Sequence, residues 1–250
     1  MVYGTGAPKT TFDGSTPYAE YGHIETLLSL QTPRTQAPAE FSFIVGTQVM
    51  ELLFALIRHE WEDARTRLDA DDLRGALQAL RRSTGAQDVL IKSWDLLGTL
   101  TPAEFASFRD SFGEASGFQS YGYRHLEFLL GNKRSGLVCP HAAMPAVVAD
   151  LDKQLEQPSL DETARAFIRR RGHEDWLSVY RGQDDGLVEL GETLLAVAER
   201  FLRWKQLHLT AVWRVMGDKP GSGGSSGARW LEKTVHERAF SELWEVRNQL

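Results

Sequence analysis

The chain has 250 residues, 42% of them apolar, with a net charge of −6, which is long enough to bury a sizeable core as one large domain or two small ones. Its acidic balance argues against a general affinity for nucleic acid or for an anionic membrane surface. The lone cysteine, Cys139, excludes an intramolecular disulfide and leaves no Cys-x-x-Cys pair for zinc or for covalently attached heme.

Residues 1–17, rich in Gly, Pro and Thr, read as an irregular arm. They lack a charged start followed by an apolar stretch, and no apolar run reaches about 18 residues, so neither a secretory signal nor a membrane span is expected. Cytoplasmic residence follows by default. Phe43, Ile44, Val45, Val49, Met50, Leu52, Leu53, Leu56 and Ile57 mark a helix of about twenty residues with a wide apolar face. A second helix is expected over roughly 72–98, carrying Trp94. Thr101-Pro102-Ala103-Glu104 opens a third with a Thr cap, Pro in the first turn and a Glu that reaches back to the cap. Ser116-Gly117-Phe118-Gln119-Ser120 reads as a turn into the amphipathic run Tyr121 to Leu130. The segment 134–158, with Pro140, Pro145 and Pro158, is the expected long connection. Ser159-Leu160-Asp161-Glu162 repeats the capping pattern, and Arg169-Arg170-Arg171 reads as a solvated helix end. Strand alternation and internal repeats are absent, so one all-α domain over 1–250 is the simplest reading.

Leu190, Leu194, Val197, Phe201, Trp204, His208, Val212 and Val215 recur at steps of three and four, which turns His208 inward. A single histidine on an apolar face is either a hydrogen-bonded core residue or a metal ligand, and spacing leaves both open. Fourteen residues on lies Ser222, in Gly221-Ser222-Gly223-Gly224-Ser225-Ser226-Gly227. Four glycines in seven residues let backbone approach a bound molecule closely, and the apolar pattern that resumes at Trp230 and Leu231 argues against a simple linker. Arg109, four residues after Phe105 on the same helix face, has the planar fork that suits a carboxylate, although pairing with a nearby acid is the commoner use. A zinc-protease motif fails at Asp63, where His59 needs a second histidine. Gly224-Ser225-Ser226-Gly227 is one residue short of a serine nucleophile elbow, and no strand precedes it. His23, His125, His141, His173 and His236 show no ligand-type pairing.

These pieces, in this order, resemble the tryptophan 2,3-dioxygenase family. Phe43-Ile44-Val45-Gly46-Thr47-Gln48 with Glu51-Leu52 is similar to the family's distal-pocket helix. Thr101 to Phe105 with Phe108-Arg109 follows, then Ser116 to Ser120 with Tyr123-Arg124, Glu127-Phe128 and Leu130 to Lys133. His208, Val212, Arg214, Gly217, Lys219 and the 221–227 loop complete the set, with a shortened stretch between Lys133 and His208. The resemblance implies an all-helical enzyme with non-covalent heme b, usually a homotetramer, that uses iron and dioxygen to oxygenate the indole ring of tryptophan. It implies His208 as the axial iron ligand, Arg109 on the substrate carboxylate and Ser222 by the ammonium group. Phe43 and Phe105 would wall the indole, and Trp94 and Ser116 would lie near the heme. Tyr18 and Tyr21 match a segment with which a neighbouring subunit closes the pocket.

One departure is weighty: the family's distal histidine is Thr47 here. A hydroxyl cannot act as a base near neutral pH, yet it hydrogen-bonds to an indole nitrogen or to oxygen. Relatives with serine at that place still cleave the ring, and others insert one oxygen atom to give a 2-oxindole from a β-methylated tryptophan. Ser222 stands where the family has threonine. The expectation is therefore oxygenation at indole C2/C3 of tryptophan or a substituted tryptophan, to an N-formylkynurenine or an oxindole, with a lean toward specialised biosynthesis. A heme-dependent tyrosine hydroxylase and a non-catalytic heme sensor are the alternatives.

Overall fold

Helix α3, Pro38–Asp69, is the axis on which the rest is assembled. Two short helices precede it, α1 (Pro17–Tyr21) and α2 (Ile24–Leu28). The computed structural model describes residues 6–250, and residues 1–5 of the expected arm lie outside them. Residues 6–16 are irregular, as the composition suggests, and no strand occurs among the described residues. Gly46, Met50, Phe54, Ile57, Trp61, Ala64 and Leu68 are buried at steps of three and four, the period of one helix face.

The helix is longer than expected because its flanks hide their signals. Pro38 supplies a preset φ in the first turn, and buried Glu40 accepts bonds from Arg34 N (2.8 Å), Thr35 N (2.7 Å) and Thr35 Oγ1 (2.6 Å). At the other end the polar half of the last turns is tied down by Arg67 on Asp63 and Asp72. By length and composition α3 meets the requirement for a membrane span, with a window of mean hydropathy 1.6. This qualifies the expectation that nothing would, since Glu40 and Glu51 interrupt the run without making it polar overall.

Two long helices pack on it. In α4 (Leu73–Lys92) the Asp72 side chain caps the start by accepting from Gly75 N at 2.9 Å. Trp61 Nε1 donates to Ser83 Oγ at 3.0 Å, joining α3 to α4 inside the core. The expected helix over 72–98 breaks at Ser93, whose hydroxyl bonds back to Leu90 O at 2.6 Å, and a separate turn, α5 (Trp94–Leu97), follows. The Thr101 capping box is present at the start of α6 (Pro102–Arg109). Ser120 caps α7 (Tyr121–Leu129).

The expected connection over 134–158 is corrected: it carries α8 (Pro145–Glu156). Pro145 sits in the first turn, where a missing N–H costs nothing, so the prolines bound a helix rather than forbid one. Phe128, Val138 and Leu151 form a small second core beneath it, and Arg58 grips Asp150 through two bonds of 2.8 and 3.0 Å. The capping box at Ser159 starts α9 (Leu160–Arg170), which ends in the expected basic turn. After α10 (Trp176–Gly182), Asp184 caps α11 (Asp185–Met216), 32 residues long. Its face of Leu187, Leu190, Leu194, Val197, Phe201 and Trp204 is buried, and Gln87 Nε2 bonds to Val197 O at 3.0 Å to fix α4 against it. Gly217, at φ +60°, stops α11, and α12 (Ala228–Thr234) and α13 (Ser241–Glu245) close the chain.

Candidate functional site

Two groups of expected site residues assemble on these helices. In the first, Phe43 of α3 meets Phe105 of α6, with ring centroids 5.8 Å apart. Phe108 (5.6 Å) and Phe112 (5.0 Å, stacked) complete a box of four rings around it. Phe108 was quoted only as a motif position and Phe112 was missed, although their spacing from Phe105 by three and seven residues is the signal of one helix face.

Arg109, at the end of α6, is half-buried and has no acidic partner among the described residues. Its Nη2 donates to Pro220 O at 2.5 Å. The commoner use of an arginine, pairing with a nearby acid, is therefore not what is found. The guanidinium is held beside the glycine loop with most of its donors uncommitted.

The loop is built, rather than loose. Gly221 N bonds to Ser225 O at 3.0 Å and Gly224 N to Gly221 O at 3.1 Å. Ser222 Oγ donates to Ala115 O at 2.5 Å. Gly223 runs so close to Ser116 that a Cβ there would lie 2.7 Å from Ser116 Cβ. Ser116 itself caps the short turn at 117–119 by accepting from Phe118 N at 3.3 Å. The loop thus spans from Arg109, bonded to Pro220 O, to Ser116, packed on Gly223.

Thr47 lies one turn beyond Phe43 on α3 and is exposed. Its hydroxyl donates to Phe43 O at 2.9 Å, so the hydrogen is committed and the lone pairs are left to accept.

The second group surrounds His208 on α11. The Trp94 ring stacks on the imidazole at 4.8 Å and 18°, and Trp204 lies tilted against it at 5.6 Å. Phe54 (5.4 Å) and Tyr123 (5.3 Å) pack on Trp204 in turn. His208 is half-buried, and the loss of hydration pushes its pKa from 6.5 down to about 4. It is therefore neutral near pH 7, with a lone pair free to bind a metal. Burial also drives the Tyr123 phenol well above 10 and raises the Glu51 carboxyl, one turn from Thr47.

Among the described residues no three His, Cys, Asp or Glu side chains converge, so a metal at the His208 imidazole needs its other ligands from a bound group. Trp94 Nε1 and Trp204 Nε1 are buried donors with no acceptor among the described residues, a cost of about 1–3 kcal/mol each unless something bound supplies one. A porphyrin, which brings four metal ligands and acceptor groups, fits this donor set.

Tyr18 and Tyr21 are not brought to either group. They are 77% and 94% exposed on α1. Of the other histidines, His125 and His141 are buried and His23, His59 and His236 exposed. Arg124 and Glu127, quoted in the sequence only as motif positions, are buried and pair with each other, and Lys205, which was missed, is buried with its Nζ 3.4 Å from Glu237 O. The first pair lies within α7, and the Lys205 bond ties α11 to the C-terminal segment.

The family model for tryptophan 2,3-dioxygenase matches residues 4–174 and 175–250. The chain belongs to the tryptophan 2,3-dioxygenase family. It is 36% identical over 270 residues to the tryptophan 2,3-dioxygenase of Bradyrhizobium sp. (strain ORS 278), covering 98% of this chain and 97% of that one. The tryptophan 2,3-dioxygenase of Pseudomonas fluorescens is 35% identical, with 97% and 94% covered. That of Shewanella woodyi is 36% identical, with 96% and 93% covered. An alignment of 270 positions against 250 residues means that the Bradyrhizobium relative carries segments this chain lacks. The family is one of oxidoreductases, and the all-helical architecture agrees with it.

Proposed function

We propose that the chain is a heme-dependent oxygenase that uses dioxygen to oxygenate the indole C2/C3 of L-tryptophan or of a substituted tryptophan such as the β-methyl form. The observation that carries this reading is the meeting of a carboxylate-ready Arg109, an ordered 221–227 loop and the box of phenylalanines. Membership of the family supports it.

His208 would hold non-covalent heme b through its neutral imidazole, with Trp94 and Ser116 nearby. When bound, the heme iron supplies the activation of dioxygen. The remaining work belongs to the chain. Arg109 binds the substrate carboxylate in a two-pronged, charge-assisted pair. Ser222, whose hydrogen is given to Ala115 O, accepts from the ammonium group with its free lone pairs. Clamping both charged ends fixes the indole against the wall that Phe43 and Phe105 form together, which also excludes water. Thr47 Oγ1 accepts from the indole N–H and holds it, but it does not remove the proton.

That division of labour favours chemistry which needs no distal base, and it supports a role in a specialised biosynthetic pathway. Both an N-formylkynurenine and a 2-oxindole lie within it: the first takes up both atoms of dioxygen, and the second takes up one while an external reductant, supplied in the assay, provides the two electrons that reduce the other to water. The exposed Tyr18 and Tyr21 support a homotetramer in which the arm of a neighbouring copy completes the pocket. Cytoplasmic residence is part of the same reading.

Turnover of tryptophan, β-methyltryptophan and tyrosine under labelled dioxygen, followed by mass spectrometry, tests it. Gain of two labelled atoms by an indole substrate means dioxygenation and gain of one means monooxygenation. Product from tyrosine alone, or none at all, refutes the proposal.

A further inference from the structure

The imidazole of His208 makes no hydrogen bond and no ion pair with any described residue. Histidines that bind a metal ordinarily donate their second ring N–H to a carboxylate or carbonyl, which fixes the plane of the ring. Here aromatic faces stand in that place. Trp94 lies nearly parallel to the imidazole at 4.8 Å, and Trp204, one turn earlier on α11, leans on it at 48°. The two indoles also touch each other, 5.5 Å apart.

Both are themselves held. Trp94 opens α5 directly after the break at Ser93, and from there its indole reaches His208 on α11. Trp204 is wedged between Phe54, edge-on at 5.4 Å, and Tyr123, which stacks on Phe201 at 12°. Neither indole N–H is bonded to a described residue, so within the chain each ring is placed by contacts of its faces. Rotation of the imidazole about its Cβ–Cγ bond would drive it through the Trp94 ring.

We infer that Trp94 and Trp204 are positioning residues for His208, their ring faces replacing a hydrogen-bonded acceptor in setting the plane of the imidazole. This rests on reading His208 as the iron ligand. It has a consequence: with no side chain or carbonyl among the described residues bonded to the ring, the orientation of the imidazole depends on packing.

The test uses the full chain, as wild type, Trp94→Phe and Trp94→Leu, each titrated with hemin. Two readouts report the ligand plane without turnover. They are the iron–histidine stretching band of the ferrous form and the spread of heme-methyl NMR shifts in the ferric cyanide form. Wild type should give one narrow band and one shift pattern. Trp94→Leu should keep stoichiometric hemin uptake but broaden or split the band and change the methyl spread, with Trp94→Phe in between.

A loaded Trp94→Leu protein that matches wild type in both readouts overturns the inference. Should Trp94→Leu fail to fold by circular dichroism, Trp94→Phe decides: a shifted band supports the clamp and an unchanged one overturns it. If wild type takes up no hemin, or His208→Ala gives the wild-type spectrum, the iron-ligand reading falls and takes the clamp with it. That outcome is distinct from a loaded wild type whose indole variant is unaltered.

Discussion

Gly227→Ala is the most informative single methyl to add. Gly227 closes the base of the 221–227 loop at φ +63°, ψ −127°, outside the regions open to L side chains. A Cβ there would lie 2.4 Å from Lys219 O, a backbone atom that cannot swing aside as a side chain can. The strained backbone alone costs about 1–3 kcal/mol, and the contact with Lys219 must be relieved by moving the loop. With about 2 kcal/mol set against the closed loop, substrate binding weakens about 30-fold. The assay is titration of the ferrous heme protein with tryptophan, followed by its Soret band, beside a thermal melt. Gly136→Ala, at a glycine with open space around it and no positive φ, is the control and should bind like wild type. If Gly227→Ala binds tryptophan within about threefold of wild type, the loop is not the closing element the site requires.

Arg109→Ala should raise KM for tryptophan about 30- to 150-fold, from a charge-assisted pair of about 2–3 kcal/mol, and leave tryptamine, which lacks the carboxylate, nearly unchanged. Equal losses on both substrates would remove the carboxylate role. Phe108, 1% exposed at the back of the phenylalanine box, should cost about 3–5 kcal/mol of stability when cut to alanine, read as a lower urea midpoint. The pH dependence has a definite sign. Burial, with the Arg58 guanidinium adding to it and Asp150 opposing, pushes His125 down from 6.5 to about 4. The unfolded chain takes up that proton near pH 6.5 while the folded one resists it to about pH 4, so stability falls as pH drops across this window. In His125→Gln the loss of urea midpoint between pH 7 and pH 5 should be smaller, and an equal loss in both proteins would show that His125 does not titrate as described.

Local chemistry was legible where one short segment decides the outcome. The capping boxes at Thr101 and Ser159 both form, because their partners lie three residues apart. The His208 face was readable from spacing, and the motif order pointed to the family. The same spacing overran at Ser93, since apolar periodicity runs on through the single residue that separates α4 from α5. Three prolines hid α8, because proline in a first turn and proline in a loop look alike in a sequence. What joins the site was out of reach: Arg109 and Pro220 are 111 residues apart, and Trp94 meets His208 only after α4 and α11 have packed. Burial of Arg124, Glu127 and Lys205 was hidden for a related reason, as charged residues read as solvent-facing until their partners are known.

The account turns on His208 carrying heme iron. Titration of purified apoprotein with hemin, for wild type and His208→Ala, tests it most directly. Wild type should saturate at one hemin per chain with a five-coordinate histidine-ligated ferrous spectrum that changes when tryptophan is added, and His208→Ala should lose that spectrum. A wild-type protein that leaves free hemin unaltered, or an alanine variant with the same bands, would contradict the account.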